Sequence, residues 1–174
     1  MIQNPESRWR EVLHLEVPGQ PVGAARPRVV RTRSGASHTY MPDSSTRQEG
    51  AILHLARLRW GARAPLDGIV RVEVVAVLER PRKLVPRANG GTLTGPAGVR
   101  LLGAVGTVTG RVPCPTKPDG DNVLKLAMDA LVKARVLEGD ERVTECECRK
   151  VWAAIGEGPS TVVTVYAGPG GRWW

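Results

Sequence analysis

Residues 118–135 read PDGDNVLKLAMDALVKAR, and their apolar positions recur at the period of a helix. At about 100° per residue, Val123, Ala127, Ala130, Leu131 and Ala134 cluster within roughly 100° of arc. The spacing predicts a helix over residues 122–135 with one face buried. Outward from this helix the period changes to that of strands. Residues 143–155 and 161–166 read as two strands, joined by a turn through Gly156, Glu157, Gly158 and Pro159. Upstream, residues 69–78 set Val70, Val72, Val74, Ala76 and Leu78 on one apolar face and Arg71 and Glu73 on the other. A second helix is predicted to begin near Asp43 to Ser45, where Ser45 and Gln48 fit a capping box, and to run to Arg63. It carries Ile52, Leu55, Ala56 and Trp60 at helical spacing, and Pro65 with the Asp67–Gly68 pair ends it. Residues 12–17 alternate Leu13, Leu15 and Val17 against His14 and Glu16, as a half-buried strand does. The order β, α, β, insertion, α, β, β predicts an α/β (α+β) fold, a mixed sheet with two main helices packed on it.

Between these elements lie two long connections. Residues 18–42 read as a loop through Pro18, Pro21, Pro27 and Pro42, and it is basic: Arg26, Arg28, Arg31 and Arg33 fall within eight positions. Guanidinium groups so placed suit phosphate. Residues 81–118 hold six prolines and seven glycines, which break long elements. We read 81–114 as a flexible insertion, residues 99–108 as a short apolar segment within it, and 167–174 as a tail, all in one domain spanning 1–174.

A chain of 174 residues suffices for one domain with a real core. No apolar run approaches the roughly 20 residues that span a bilayer, and the polar start MIQNPESRWR is unlike a signal peptide, so a cytoplasmic location is expected. A net charge of +8 favours an acidic partner, of which nucleic acid is the usual one. The three cysteines, Cys114, Cys146 and Cys148, read as reduced, small buried side chains. Their spacing, and that of His14, His38 and His54, does not suit zinc.

The chemistry gathers at the start of the central helix. Asp119 and Asp121 stand two apart, with Pro118 and Gly120 constraining and freeing the backbone in turn, so both carboxylates can serve one point. Two carboxylates on one small site repel unless a cation lies between them, and magnesium takes such hard oxygen ligands. Asp121, Lys125 and Asp129 follow at i, i+4 and i+8, drifting only about 40° per step. Lys125 can therefore meet a phosphate held at the acids. Asp140 follows the helix and can add a third carboxylate. The same spacings also fit a plain helix cap and a surface ion pair, and sequence alone leaves both open.

The whole pattern resembles the RusA family of Holliday-junction resolvases. That family's signature is an Asp-x-Asp-Asn, a Lys four residues after the second Asp, an Asp-Ala-Leu, and an Asp-Asp before a strand. Asp119, Asp121, Asn122, Lys125, Asp129, Ala130 and Leu131 match it in register, Asp140 matches the second acid of the later pair, and Lys150 matches a lysine on the next strand. Arg26-Pro27-Arg28 resembles the family's basic element near the amino terminus. Gly139 stands where the family carries the first acid of its pair, and a register slipped by one would pair Asp140 with Glu141.

The resemblance implies a homodimer that binds four-way DNA junctions and cuts two opposed strands symmetrically with Mg²⁺, or Mn²⁺ in its place. It implies metal ligation by Asp119, Asp121 and Asp140 and phosphate contact by Lys125. Arg26, Arg28, Arg31, Arg33, Lys117 and Lys150 are the expected DNA contacts, and Asn122 and Asp129 are structural or interface positions. A cleavage-deficient junction-binding protein, and a nuclease selective for flaps or forks, are the other readings. Trp173 and Trp174 can stack on bases or pack on a partner. A phage or prophage origin follows by family analogy only.

Overall fold

Strand β4 (Val70–Leu78) turns Val70, Val72, Val74, Ala76 and Leu78 inward, and all five are buried, as their alternation predicts. The computed structural model describes residues 9–26, 28–31, 37–40, 42–82 and 110–169. Around β4 the elements are β1 (Arg10–Pro18), β2 (Arg28–Arg31), β3 (Ser37–Tyr40), α1 (Asp43–Trp60), β5 (Val112–Pro113), α2 (Gly120–Lys133), β6 (Val143–Trp152) and β7 (Ser160–Ala167). A single 3-10 turn, Asp140–Arg142, precedes β6.

Five strands form one mixed sheet in the order β1-β7-β4-β6-β5. β4 and β6 are parallel, and the chain between them crosses over through α2; the β1–β7, β7–β4 and β5–β6 pairs are antiparallel. Both helices lie on one face. Ile52, Ala56 and Trp60 of α1, with Val123, Leu126, Ala127, Ala130 and Leu131 of α2, close over Leu13, Leu15, Val17, Val72, Val74, Val163 and Val165. The expected α+β fold, a mixed sheet carrying two helices, is the one observed.

Several boundaries and roles differ from the sequence reading. Helix α1 starts at Asp43 after Pro42, and Ser45 and Gln48 do not form a capping box; both are buried in the helix. Ser45 Oγ donates to the Gly23 carbonyl at 2.9 Å, and Gln48 Nε2 donates to Thr161 Oγ1 at 2.9 Å. Tertiary partners have captured side chains whose spacing suits a cap. The helix stops at Trp60, before Arg63, because Gly61 adopts a positive φ of 66°.

The loop expected over 18–42 contains a hairpin, β2 with β3, since its prolines flank these two short strands rather than interrupt them. The insertion gives up its far end to the sheet: Val112 and Pro113 pair with Trp152 and Val151. The apolar segment read at 99–108 and the tail tryptophans lie outside the described residues. Ala167 belongs to β7 and the Gly168 amide donates to Ile69, so ordered chain continues into the expected tail.

Candidate active site

Helix α2 begins where the chain leaves the sheet end formed by the last residues of β4 and β6. Asp119 occupies the cap position in extended conformation, and its carbonyl accepts the Val123 amide at 3.1 Å. Its side chain makes no capping hydrogen bond. Asp121 lies in the first turn, and both carboxylates are exposed. Among the described residues neither acid is ion-paired, and Lys125 does not close a bridge onto Asp121. The plain cap and the plain surface pair, both compatible with the sequence, are therefore not formed. Two carboxylates without an ion-pair partner among the described residues stand at the positive end of a helix dipole, the end that favours anions, with Lys125 exposed one turn on.

The basic element is tied to this helix start. Gly23 lies so close to α2 that an added Cβ would sit 2.7 Å from Asn122 Cβ and 3.3 Å from its carbonyl carbon. The Ala24 amide donates to the Asn122 carbonyl at 2.8 Å, and Ser45 holds Gly23 from the other side. Asn122 is thus a backbone anchor, and Arg26, exposed, follows within two residues of that contact. Arg31 is exposed on β2, Arg28 lies on the same strand, and Arg33 is outside the described residues. The Gly23→Ala variant is expected to lose about 1–3 kcal/mol of stability through overpacking, read as a lower Tm. An unchanged Tm would mean that the loop moves away from Asn122 freely.

Lys117 is exposed beside the acids, whereas Lys150 is turned inward. Its ammonium donates to the Thr116 carbonyl at 2.8 Å and the Pro118 carbonyl at 2.9 Å. Cys148, next on the same face of β6, approaches Gly120. Burial, with Asp121 and Glu147 adding to it and Lys150 opposing, raises the Cys148 thiol above its ordinary pKa. The shift disfavours the thiolate, which is the nucleophilic form. The three cysteines are free thiols, but only Cys114 is fully buried; Cys146 is exposed on a stretch of β6 that has no strand beyond it among the described residues.

Asp140 is not brought to Asp119 and Asp121. It precedes β6 beside the far end of α2, and a helix of 14 residues separates the two ends by about 20 Å at 1.5 Å per residue. Among the described residues no three His, Cys, Asp or Glu side chains gather to hold a metal. Asp129 is half-buried on α2, between these two places. The Glu141 carboxylate folds over Gly139 and occupies the space an added Cβ would need.

Sequence reasoning missed the residues that close the base of the insertion. Buried Arg80 donates through Nε to the Ala153 carbonyl at 2.7 Å and through its guanidinium to the Gly110 carbonyl. Arg111 bonds Glu157 at 2.9 Å, and Glu157 also accepts the Ala154 amide at 2.7 Å. The Arg111 hydrogen bond, then the Ala154 amide, hold the Glu157 carboxyl below its ordinary pKa. No spacing rule links residues this far apart.

No helix among the described residues is long and apolar enough to cross a membrane. Among curated proteins none matches the chain. The family model for endodeoxyribonuclease RusA matches residues 18–166, a span that takes in the Gly23 loop, both helices, the paired acids and all of β6. The basic element and the acids that the structure ties together through Gly23 and Asn122 are thus parts of one family pattern, and the chain belongs to the RusA family of endodeoxyribonucleases.

Proposed function

We propose that this protein is a magnesium-dependent endonuclease that resolves four-way DNA junctions by paired symmetric nicks, acting as a homodimer. The observation that carries the reading is the pair Asp119 and Asp121, exposed at the start of α2 with neither a cap bond nor an ion pair among the described residues. Magnesium is commonly held by one or two carboxylates together with substrate phosphates, so this donor set fits it. When bound, the cation supplies Lewis-acid chemistry at a phosphodiester, and manganese suits the same ligands. The chain's own part is to present the two carboxylates from a fixed helix start and to offer Lys125 to the charge that develops on the phosphate. Exposed Arg26, Arg31 and Lys117 contribute the sequence-independent grip on the backbone.

The separation of Asp140 from the other acids supports a site shared between two copies. From Val143 to Arg149, the outer edge of β6 carries no strand among the described residues, and Glu145, Cys146, Glu147 and Arg149 are exposed there. A second copy added antiparallel along this edge runs the start of one β6 beside the end of the other. Asp140 of the partner subunit then lies at the acid-bearing end of α2. A two-fold dimer built this way has two identical sites, as paired cutting requires.

The reading is tested with a mobile four-way junction, a flap and a linear duplex, each incubated with the protein and magnesium. Paired symmetric nicks confined to the junction are expected. Equal cutting of flaps or duplex would leave a nuclease without the junction preference. Binding without any cutting would make it a junction-binding protein.

A further inference from the structure

Lys150 presents the wrong geometry for a residue that reaches for DNA. Its stem runs beneath the first turn of α2, with Cδ 4.0 Å from where a Cβ on Gly120 would sit, and its ammonium donates inward to the carbonyls of Thr116 and Pro118. Its own carbonyl accepts the Cys114 amide at 3.0 Å. One residue thus holds the segment from Cys114 to Pro118 at three points, and Asp119 follows that segment directly.

An ammonium carries three donors, and two are already committed to backbone at 2.8 and 2.9 Å. Turning outward to a phosphate would break both bonds and free the strap that leads to Asp119. The Lys117 side chain, exposed one residue before Pro118, is free of this duty.

We propose that Lys150 is a positioning residue: its ammonium fixes the 114–118 strap and through it the direction of the Asp119 carboxylate, so that it governs divalent-cation affinity and not the grip on DNA. The inference rests on the proposed metal site only for its cation measurement.

The test uses the full-length protein with Lys150→Met, which keeps the apolar stem and removes the donors, beside Lys150→Arg, which keeps charge and donors. In metal-free protein, amide hydrogen exchange at Cys114 and Val123, the hydrogen-bonded amides at the two ends of this stretch, is expected to quicken about tenfold or more in the Met variant, with β4 and β7 unchanged, and to be largely restored by Arg. Mn²⁺ binding followed by electron paramagnetic resonance is expected to weaken about tenfold in the Met variant. Its junction affinity and the salt dependence of binding are expected to stay within twofold of wild type. Unchanged exchange at Cys114 and Val123 would overturn the proposal, as would a shallower salt slope by about one unit, the mark of a lost phosphate contact. If Lys150→Met does not fold, the Arg variant decides: near-wild-type exchange and Mn²⁺ affinity support the clamp, and their loss with a folded sheet overturns it. Should wild-type protein bind no Mn²⁺ and cut nothing, the metal reading fails while the exchange measurement still judges the strap.

Discussion

Asp121→Asn is expected to stop junction cleavage, slowing it by at least about 10²–10³-fold, the scale of losing one electrostatic group from a phosphoryl-transfer site, while junction binding stays equal or tightens. Asparagine has the size of aspartate and is acceptable near a helix start, so α2 should form as before. What disappears is one of two exposed carboxylates without an ion-pair partner among the described residues, and with it a hard ligand for a cation. Binding should not suffer, because a carboxylate near the scissile phosphate repels DNA until a cation neutralises it. Cleavage in magnesium, junction binding in calcium and a melting curve separate the possibilities. Loss of cleavage and binding together with a lower Tm would assign Asp121 to folding. An unchanged cleavage rate would remove it from the mechanism.

The second large effect concerns the distribution of the site between chains. Asp121→Asn and Asp140→Asn proteins, each alone, are expected to be inactive. Refolded together in equal amounts, they are expected to regain nicking. In a mixed dimer whose sites are shared, one site receives both substitutions and the other receives neither. Half the dimers are then mixed with one intact site each, so about a quarter of wild-type sites return under random two-fold pairing. Those dimers should make single nicks and not paired ones. If each site were assembled within one chain, every site in the mixture would be damaged and no activity would return. The structure motivates the experiment directly, since α2 stands between Asp140 and the acids at its start.

The parts of the fold that could be read from sequence are those whose periodicity is local. Helix α2 and strand β4 have apolar positions that repeat without interruption, and both occur where their patterns place them, with the same residues buried. Asp119 and Asp121 were legible because two acids bracket one glycine before such a helix. The hairpin of β2 and β3 was hidden because proline density argues for loop even where the prolines only flank strands. Ser45 and Gln48 misled because a capping box and a buried polar anchor share residue types, and only the Gly23 carbonyl and Thr161 across the fold distinguish them. The inward turn of Lys150, the closeness of Gly23 to Asn122 and the Arg80 closure depend on which distant backbone passes nearby. Cys146 is exposed where β6 has no neighbouring strand among the described residues, and a strand's own residues do not announce whether another lies beside it.

The side of the sheet turned away from the helices is lined differently from the rest. Arg71, over the Tyr166 ring, is bridged to Glu73, Glu145 and Glu147, with Glu11 opposite Tyr166 and Glu16 farther along β1. Among the described residues glutamates outnumber arginines on this face. Arg26 and Lys117 are exposed instead beside α2. Among the described residues, then, the two sides of the sheet differ in the sign of the charge they present. The glutamates of the open sheet face repel a polyanion, which favours its approach from the helix side. Encounters then begin already oriented, and low ionic strength should lengthen the range over which this alignment acts.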